Sequence, residues 1–191
     1  MNSVAADVIA SYSSSIRFPK YVYADNRSVL NALVPGNEFK FVTPSIVKNS
    51  NRRFNVGEVV NNLVKQKSML CSYEVSSIYG FLGIFNVLDS SLEPGSILRA
   101  QRLSQQKINF LGLPYYTTAV TNRREVNVAY NNSTAIRSVL NKITGQFDVL
   151  KKRSAFLENY RRFEMDLEEM AVARESMQGV IEAYEKAETL K

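Results

Sequence analysis

The sequence predicts a mainly α-helical protein: an antiparallel four-helix bundle with small strand elements and an extended C-terminal helix. Two observations carry that expectation. Apolar residues recur at the three- and four-residue spacing of a buried helix face in several segments, and few segments alternate as strands do. Val56, Val59, Val60 and Leu63 form one such stripe, Ile78, Phe81, Leu82 and Phe85 a second, and Ala135, Ile136, Val139, Leu140 and Ile143 a third. Helices joined by short turns bury such stripes most simply by packing antiparallel on one another.

Along the chain, residues 1–24 are rich in serine and aromatics with weak periodicity, and predict an extended arm with a short strand around Tyr21 to Tyr23. Asp25 or Asn26 supplies a side-chain oxygen for the free amides of a first helical turn, so a short helix runs through Val29, Leu30 and Leu33 until Pro35-Gly36 stops it. Phe39 to Val42 predict a short strand, and the basic stretch 46–54 leads into the helix of Val56 and its stripe. Residues 72–88 are the most apolar and predict a buried helix; Glu93-Pro94-Gly95 is a turn. Residues 97–107 read as helical, Leu111-Gly112-Leu113-Pro114 as a break and residues 125–130 as a strand, with the whole stretch 97–128 the expected flexible or ligand-facing region. Helix resumes at Asn131 and continues with Phe156, Leu157, Tyr160, Phe163, Leu167 and Met170 on one stripe, into a tail rich in Glu, Ala, Met and Lys. Residues 1–170 are therefore expected to be one helical domain with the arm 1–24, and residues 171–191 a C-terminal helical tail.

Composition narrows the function classes. With 191 residues, 45% of them hydrophobic, the chain is long enough for one sizeable core. Twenty-four Lys and Arg against eighteen Asp and Glu leave a formal charge of +6, which permits an acidic partner without requiring one. The cations gather in the middle of the chain, whereas Glu164, Asp166, Glu168 and Glu169 cluster later. No apolar run reaches the roughly 18 to 20 residues of a membrane span. The start lacks the pattern of a secretory leader, and the single cysteine, Cys71, fits a reducing compartment, so cytoplasm is the expected location.

The absence of histidine excludes an imidazole base, a His-dependent triad and any histidine-ligated metal. Cys71, in Met-Leu-Cys-Ser-Tyr, reads as a packed thiol rather than a nucleophile. Neither Gly-x-Gly-x-x-Gly nor a phosphate loop ending in Gly-Lys-Ser/Thr occurs. The chain is expected not to be an enzyme and to carry no cofactor and no metal.

The most informative segment is residues 129–141, Ala-Tyr-Asn-Asn-Ser-Thr-Ala-Ile-Arg-Ser-Val-Leu-Asn. A helix start rich in Asn, Ser and Thr, followed within a turn by an arginine, presents amide donors and a guanidinium to an anion. Arg137, Ser138 and Asn141 fall off the apolar face, so the surface is either an RNA phosphate and ribose contact or an ordinary solvated helix face.

Several patterns, taken in chain order over residues 11–165, resemble the coat proteins of rigid rod-shaped plant RNA viruses of the tobacco mosaic virus type. They are Ser11-Tyr12-Ser13, Tyr23-Ala24-Asp25, Asn31-Ala32-Leu33, Gly36-Asn37 and Phe39; Ile46-Val47 with Arg52, Arg53 and Phe54; and Phe81-Leu82-Gly83-Ile84-Phe85. Thr121-Asn122-Arg123-Arg124, Ala135-Ile136-Arg137-Ser138 with Asn141, and Asn159-Tyr160-Arg161-Arg162-Phe163-Glu164 complete the set, the last one residue tighter than the family's Tyr-x-Arg-x-x-Phe-Glu. The departures are an absence of arginine in residues 86–91, Tyr130 and Asn131 where the family has an acidic pair, and a longer tail past Met170.

The resemblance implies a capsid protein that self-assembles into a helical rod around single-stranded RNA, found in the virion and host cytoplasm. RNA would be held by phosphate neutralisation and base stacking without sequence reading. Arg137 would take phosphate, Ser138 and Asn141 ribose or base edges, and Asn131 would lie at the helix start. Ala135 would leave room for flat bases, Arg123 and Arg124 would support the inner loop, and Arg99 or Arg102 would replace the missing arginines. The alternative is a helical scaffold of phage or bacterial origin that binds a partner through its C-terminal helix.

Overall fold

A computed structural model describes residues 2–18, 25–34, 36–48, 55–87, 95–108, 110–120, 126–162 and 166–189. The chain divides into two compact units, Met1–Ser133 and Thr134–Lys191. Residue 170, where a domain boundary is expected from the sequence, falls inside the second.

The first unit is built on a sheet, and this overturns the four-helix bundle. Strands β1 (Val42–Lys48), β2 (Ile78–Val87), β3 (Pro114–Val120) and β4 (Val126–Ser133) lie in the order β1-β4-β2-β3. β4 runs antiparallel to both neighbours, with Ile46 and Ile84 both opposite Val128, while β2 and β3 are parallel, with Ile84 opposite Thr117. The parallel pair is joined through helix α5 (Ser96–Lys107), a strand–helix–strand crossover that makes the unit α/β.

Helices cover both faces. On one side lie α1 (Asn2–Tyr12), α2 (Ser14–Arg17) and α3 (Asn26–Leu33). Val29 and Leu33 of α3 pack there with Leu82, Ile84, Val128 and Tyr130, flanked by Val8, Val42, Ile46 and Tyr115. On the other side, α4 (Val56–Leu63) lies against β1 and β4 and beside α5, which covers β3. There Tyr116 packs between Phe81 and Phe85, with ring centroids 5.4 Å away on each side, and its phenol is hydrogen-bonded to Ser104 of α5.

This sandwich explains why residues 78–87 form a strand rather than the expected helix. A central strand buried on both faces is apolar at nearly every position, so its sequence lacks alternation and carries accidental three- and four-residue spacings. All ten residues but Tyr79 are buried. Gly83 marks the close approach that a strand here demands, since a Cβ added to it would lie 2.5 Å from the Tyr116 ring.

The N-terminal arm is helical, not extended. α1 is held by contacts distant in sequence: the Tyr130 hydroxyl donates to the Val8 carbonyl at 2.6 Å, and Tyr12 meets the Tyr130 ring edge-on with centroids 5.4 Å apart. Local periodicity cannot display such support. The strand expected at Tyr21 to Tyr23 lies outside the described residues. Other elements form as the residues dictate. Asp25 caps α3 by accepting from the Ser28 amide at 2.7 Å, and the Ser28 side chain, together with that amide, holds its carboxyl below the usual range. Val56, Val59, Val60 and Leu63 are the buried side of α4, and Gly95, at φ +79°, precedes α5.

The second unit is helical: α6 (Ile136–Lys152), α7 (Leu157–Arg161) and α8 (Leu167–Thr189), with α6 packed on α8. α6 ends in a Schellman turn, in which the Ala155 amide donates to the Leu150 carbonyl at 3.0 Å and the Ser154 amide to Lys151 at 3.0 Å. Ser154 occupies the left-handed position that glycine usually takes, at φ +51°, and Phe156 follows at φ +62°. These two residues break the continuous helix expected through Met170. The stripe of α6 also differs: Leu140 and Thr144 are buried, whereas Val139 and Ile143 are exposed.

Candidate functional site

The structure does not gather the sequence-predicted anion site onto one helix start. Asn131 and Asn132 are not caps; they lie in the middle of the sheet as part of β4, both buried. The Asn132 amide donates to the Leu33 carbonyl at 2.8 Å and the Phe39 carbonyl at 2.7 Å, tying the end of α3 and the segment before β1 to β4. The Asn131 amide donates to the Ser45 hydroxyl at 2.7 Å. α6 begins instead at Ile136, with Ala135 in the cap position and no side-chain oxygen capping it.

Arg137 is already engaged. Its guanidinium meets Glu188 at 2.9 Å and Glu185 at 3.3 Å, joining α6 to α8 while remaining about 31% exposed. A guanidinium shared by two carboxylates serves first as a clamp between helices. Ser138 turns its hydroxyl back to the Ala135 carbonyl at 3.0 Å, and Asn141 is exposed. Arg99 and Arg102 are exposed on α5, in the other unit, and Arg123 and Arg124 lie outside the described residues.

What sequence reasoning missed is a polar seam inside the first unit, on the α4 side of the sheet. Tyr73, Thr43, Ser45 and Asn131 converge there, and Asn127, on the same face of β4, is fully buried. Burial raises the Tyr73 phenol above its usual pKa, with Thr43, Asn131 and Ser45 opposing the shift. On the opposite face Asn86 donates to the Val126 carbonyl at 2.5 Å and to the Ser11 hydroxyl at 3.1 Å. Alternating Asn127, Ala129 and Asn131 in a strand was the available signal, since those residues share one face. The Asn131 amide and the Thr43 hydroxyl tie β1 to β4 here, whereas the Tyr73 hydroxyl, the Asn131 side-chain oxygen and both polar atoms of the Asn127 side chain are buried without a hydrogen-bond partner among the described residues; these neutral groups supply no nucleophile with its base. Among the described residues no three His, Cys, Asp or Glu side chains gather as metal ligands, and no helix is long and apolar enough to cross a membrane. Cys71 is exposed, not packed as its neighbours in sequence imply.

Comparison with known proteins redirects the functional reading. No protein-family model matches the chain. A tubulin gamma chain of Eremothecium gossypii is 30% identical over 214 aligned positions, which take in 98% of this chain. The chain spans only 45% of that relative's length.

This similarity overturns the likeness to rod-shaped viral coats. Its short matches used common residue types, whereas the tubulin alignment is continuous along nearly the whole chain. The capsid role, the virion location and the single-stranded RNA filament fall with it, and the phage or bacterial scaffold gains no support either. On catalysis the similarity bears only weakly, and it assigns no reacting residue to this chain.

Proposed function

We propose that this chain is a structural segment of a tubulin-type cytoskeletal protein, and that its work is association with tubulin subunits or with proteins that assemble with them. The observation that carries this reading is the 30% identity to a tubulin gamma chain sustained over 98% of the sequence. The physical character of the chain agrees. A sheet covered by helices on both faces and a separate helical unit offer broad, stiff surfaces, and the polar groups inside are neutral and structural.

Tubulin-type proteins are GTP-binding, and a guanine nucleotide belongs to this proposal at the level of the whole protein. This chain's own share is different. None of its eight glycines forms the Gly-x-Gly start of a phosphate cradle, so its residues are assigned to subunit association rather than to phosphate binding.

The test is gel filtration of the purified chain mixed with purified tubulin, in the presence of GTP or GDP. Co-elution in a complex at physiological ionic strength is the expected result. Separate elution at every ionic strength and with either nucleotide would overturn the reading.

A further inference from the structure

Residues 149–162 of the second unit contain a feature that folding alone does not account for. Phe156 adopts φ +62°, a left-handed conformation that a bulky L-residue rarely takes. It is nevertheless 65% exposed, so the strain is not repaid by burial of the ring. Tyr160, one turn on, is 44% exposed. Cations flank the pair in sequence: Lys151, Lys152, Arg153 and Arg162 are all exposed, Lys151 lying 6.0 Å from the centre of the Phe147 ring, and residues 151–162 carry five basic residues against the single acid Glu158. Asp148, just before the patch, is occupied by Arg174, whose guanidinium meets it at 3.0 Å.

We infer that this corner is a docking surface for an acidic protein segment bearing an apolar anchor. The Schellman turn at Ser154 and the left-handed Phe156 turn the chain twice within three residues, and the Phe156 ring is left exposed in a stretch of exposed basic residues. A partner with carboxylates flanking a leucine or an aromatic residue meets complementary charge at the rim and an apolar contact at the centre. Desolvated anchors inside a charged rim are the arrangement in which a few residues dominate affinity. The inference goes beyond association with tubulin and does not depend on it. It concerns this corner alone, and its failure leaves the gel-filtration result untouched.

The probe is a fluorescein-labelled peptide of repeating Glu-Glu-Leu, read by fluorescence anisotropy with the full chain, beside a Gln-Gln-Leu control. The acidic peptide binds and the control does not, and added salt weakens the complex by screening. The double change Lys152→Glu and Arg153→Glu, and separately Phe156→Gly, each lower affinity by about tenfold or more. Phe156→Gly melts no lower than the parent, because glycine accepts positive φ without strain. Equal binding of both peptides, or unchanged affinity in either variant, overturns the proposal. So does capture by phosphatidylserine vesicles without peptide binding, which would make the corner a membrane contact. If Phe156→Gly and Phe156→Asn both melt well below the parent, the ring is held by packing and the proposal falls.

Discussion

The two units of this protein solve the problem of burying apolar surface in opposite ways. In Met1–Ser133 the core is assembled from residues far apart in sequence: Leu33 meets Leu82, and Tyr130 reaches back to Val8. In Thr134–Lys191 two long helices pair, burying Leu140, Ile181, Tyr184 and Ala187, with polar ties at the periphery, Arg137 to Glu185 and Glu188, and Arg174 to Asp148. The first unit is specified by shape inside a closed space. The second buries a smaller apolar set drawn from two helices and adds left-handed residues at a helix end and charges at its rim. The contrast teaches that substitutions in the first should act through packing, and in the second through backbone conformation and solvent-exposed charge.

The sharpest way to break the contrast is Gly83→Val. Its added atoms enter the Tyr116 ring, and overpacking of a filled core costs about 3 kcal/mol or more where, as here, the neighbours are themselves fully buried. Hydrogen exchange should then lose protection in β2, β3 and β4 before α6 and α8; simultaneous loss would show that the two units unfold as one body.

Alkali should also strike the first unit. Tyr116 and Tyr130 have phenols raised well above the usual range, chiefly by burial, with the charge of Tyr12 a smaller cause at Tyr130 and the Ser104 bond opposing the rise at Tyr116. A phenol held neutral in the folded state and free to ionise near pH 10 when unfolded contributes stability that is intact below about pH 10 and declines above it. The decline is about 1.4 kcal/mol per pH unit for each such tyrosine. Unfolding free energies from urea titrations at pH 9 and pH 11 should therefore differ by about 2 to 3 kcal/mol in this unit, with the lower midpoint at pH 11. Equal midpoints would contradict the burial of both rings.

A smaller effect is expected of Asn132→Ala, which strands the carbonyls of Leu33 and Phe39 without their donor and should cost about 1 to 3 kcal/mol by denaturant titration. The smallest effect has the opposite sign. Ser154→Gly relieves a left-handed serine at the end of α6 and should raise stability by about 1 kcal/mol, seen as a higher thermal midpoint. A fall instead would mean that the serine side chain does more than occupy the turn.

How much of this was legible depended on whether the signal was local. Asp25 as a cap, the stripe of α4 and the helix of residues 97–107 follow from neighbours in sequence, and they are where the residues place them. β2 was illegible as a strand because burial on both faces erases alternation, and without β2 there was no sheet to expect. The error spread to the site. Once Asn131 and Asn132 are taken as a helix start they look like anion donors, whereas their partners, Ser45, Leu33 and Phe39, are some ninety residues away and invisible to any local pattern. Arg137, expected off the buried face of α6, lies three and seven residues before buried Leu140 and Thr144, on the side that meets α8, and the two glutamates that hold it are beyond the reach of helical spacing.

The strand order carries one more consequence. β4 is the last of the four described strands along the chain, yet it occupies the interior of the sheet, where Val42 faces Asn132 on one side and Leu82 faces Tyr130 on the other. During synthesis, β1 and β2 must wait for residues 126–133 to leave the ribosome before either finds its antiparallel neighbour. Until then two strands with open edges are displayed to every other nascent chain. Long-range pairing of this kind makes for slow folding and prolongs the time for which those edges stay open.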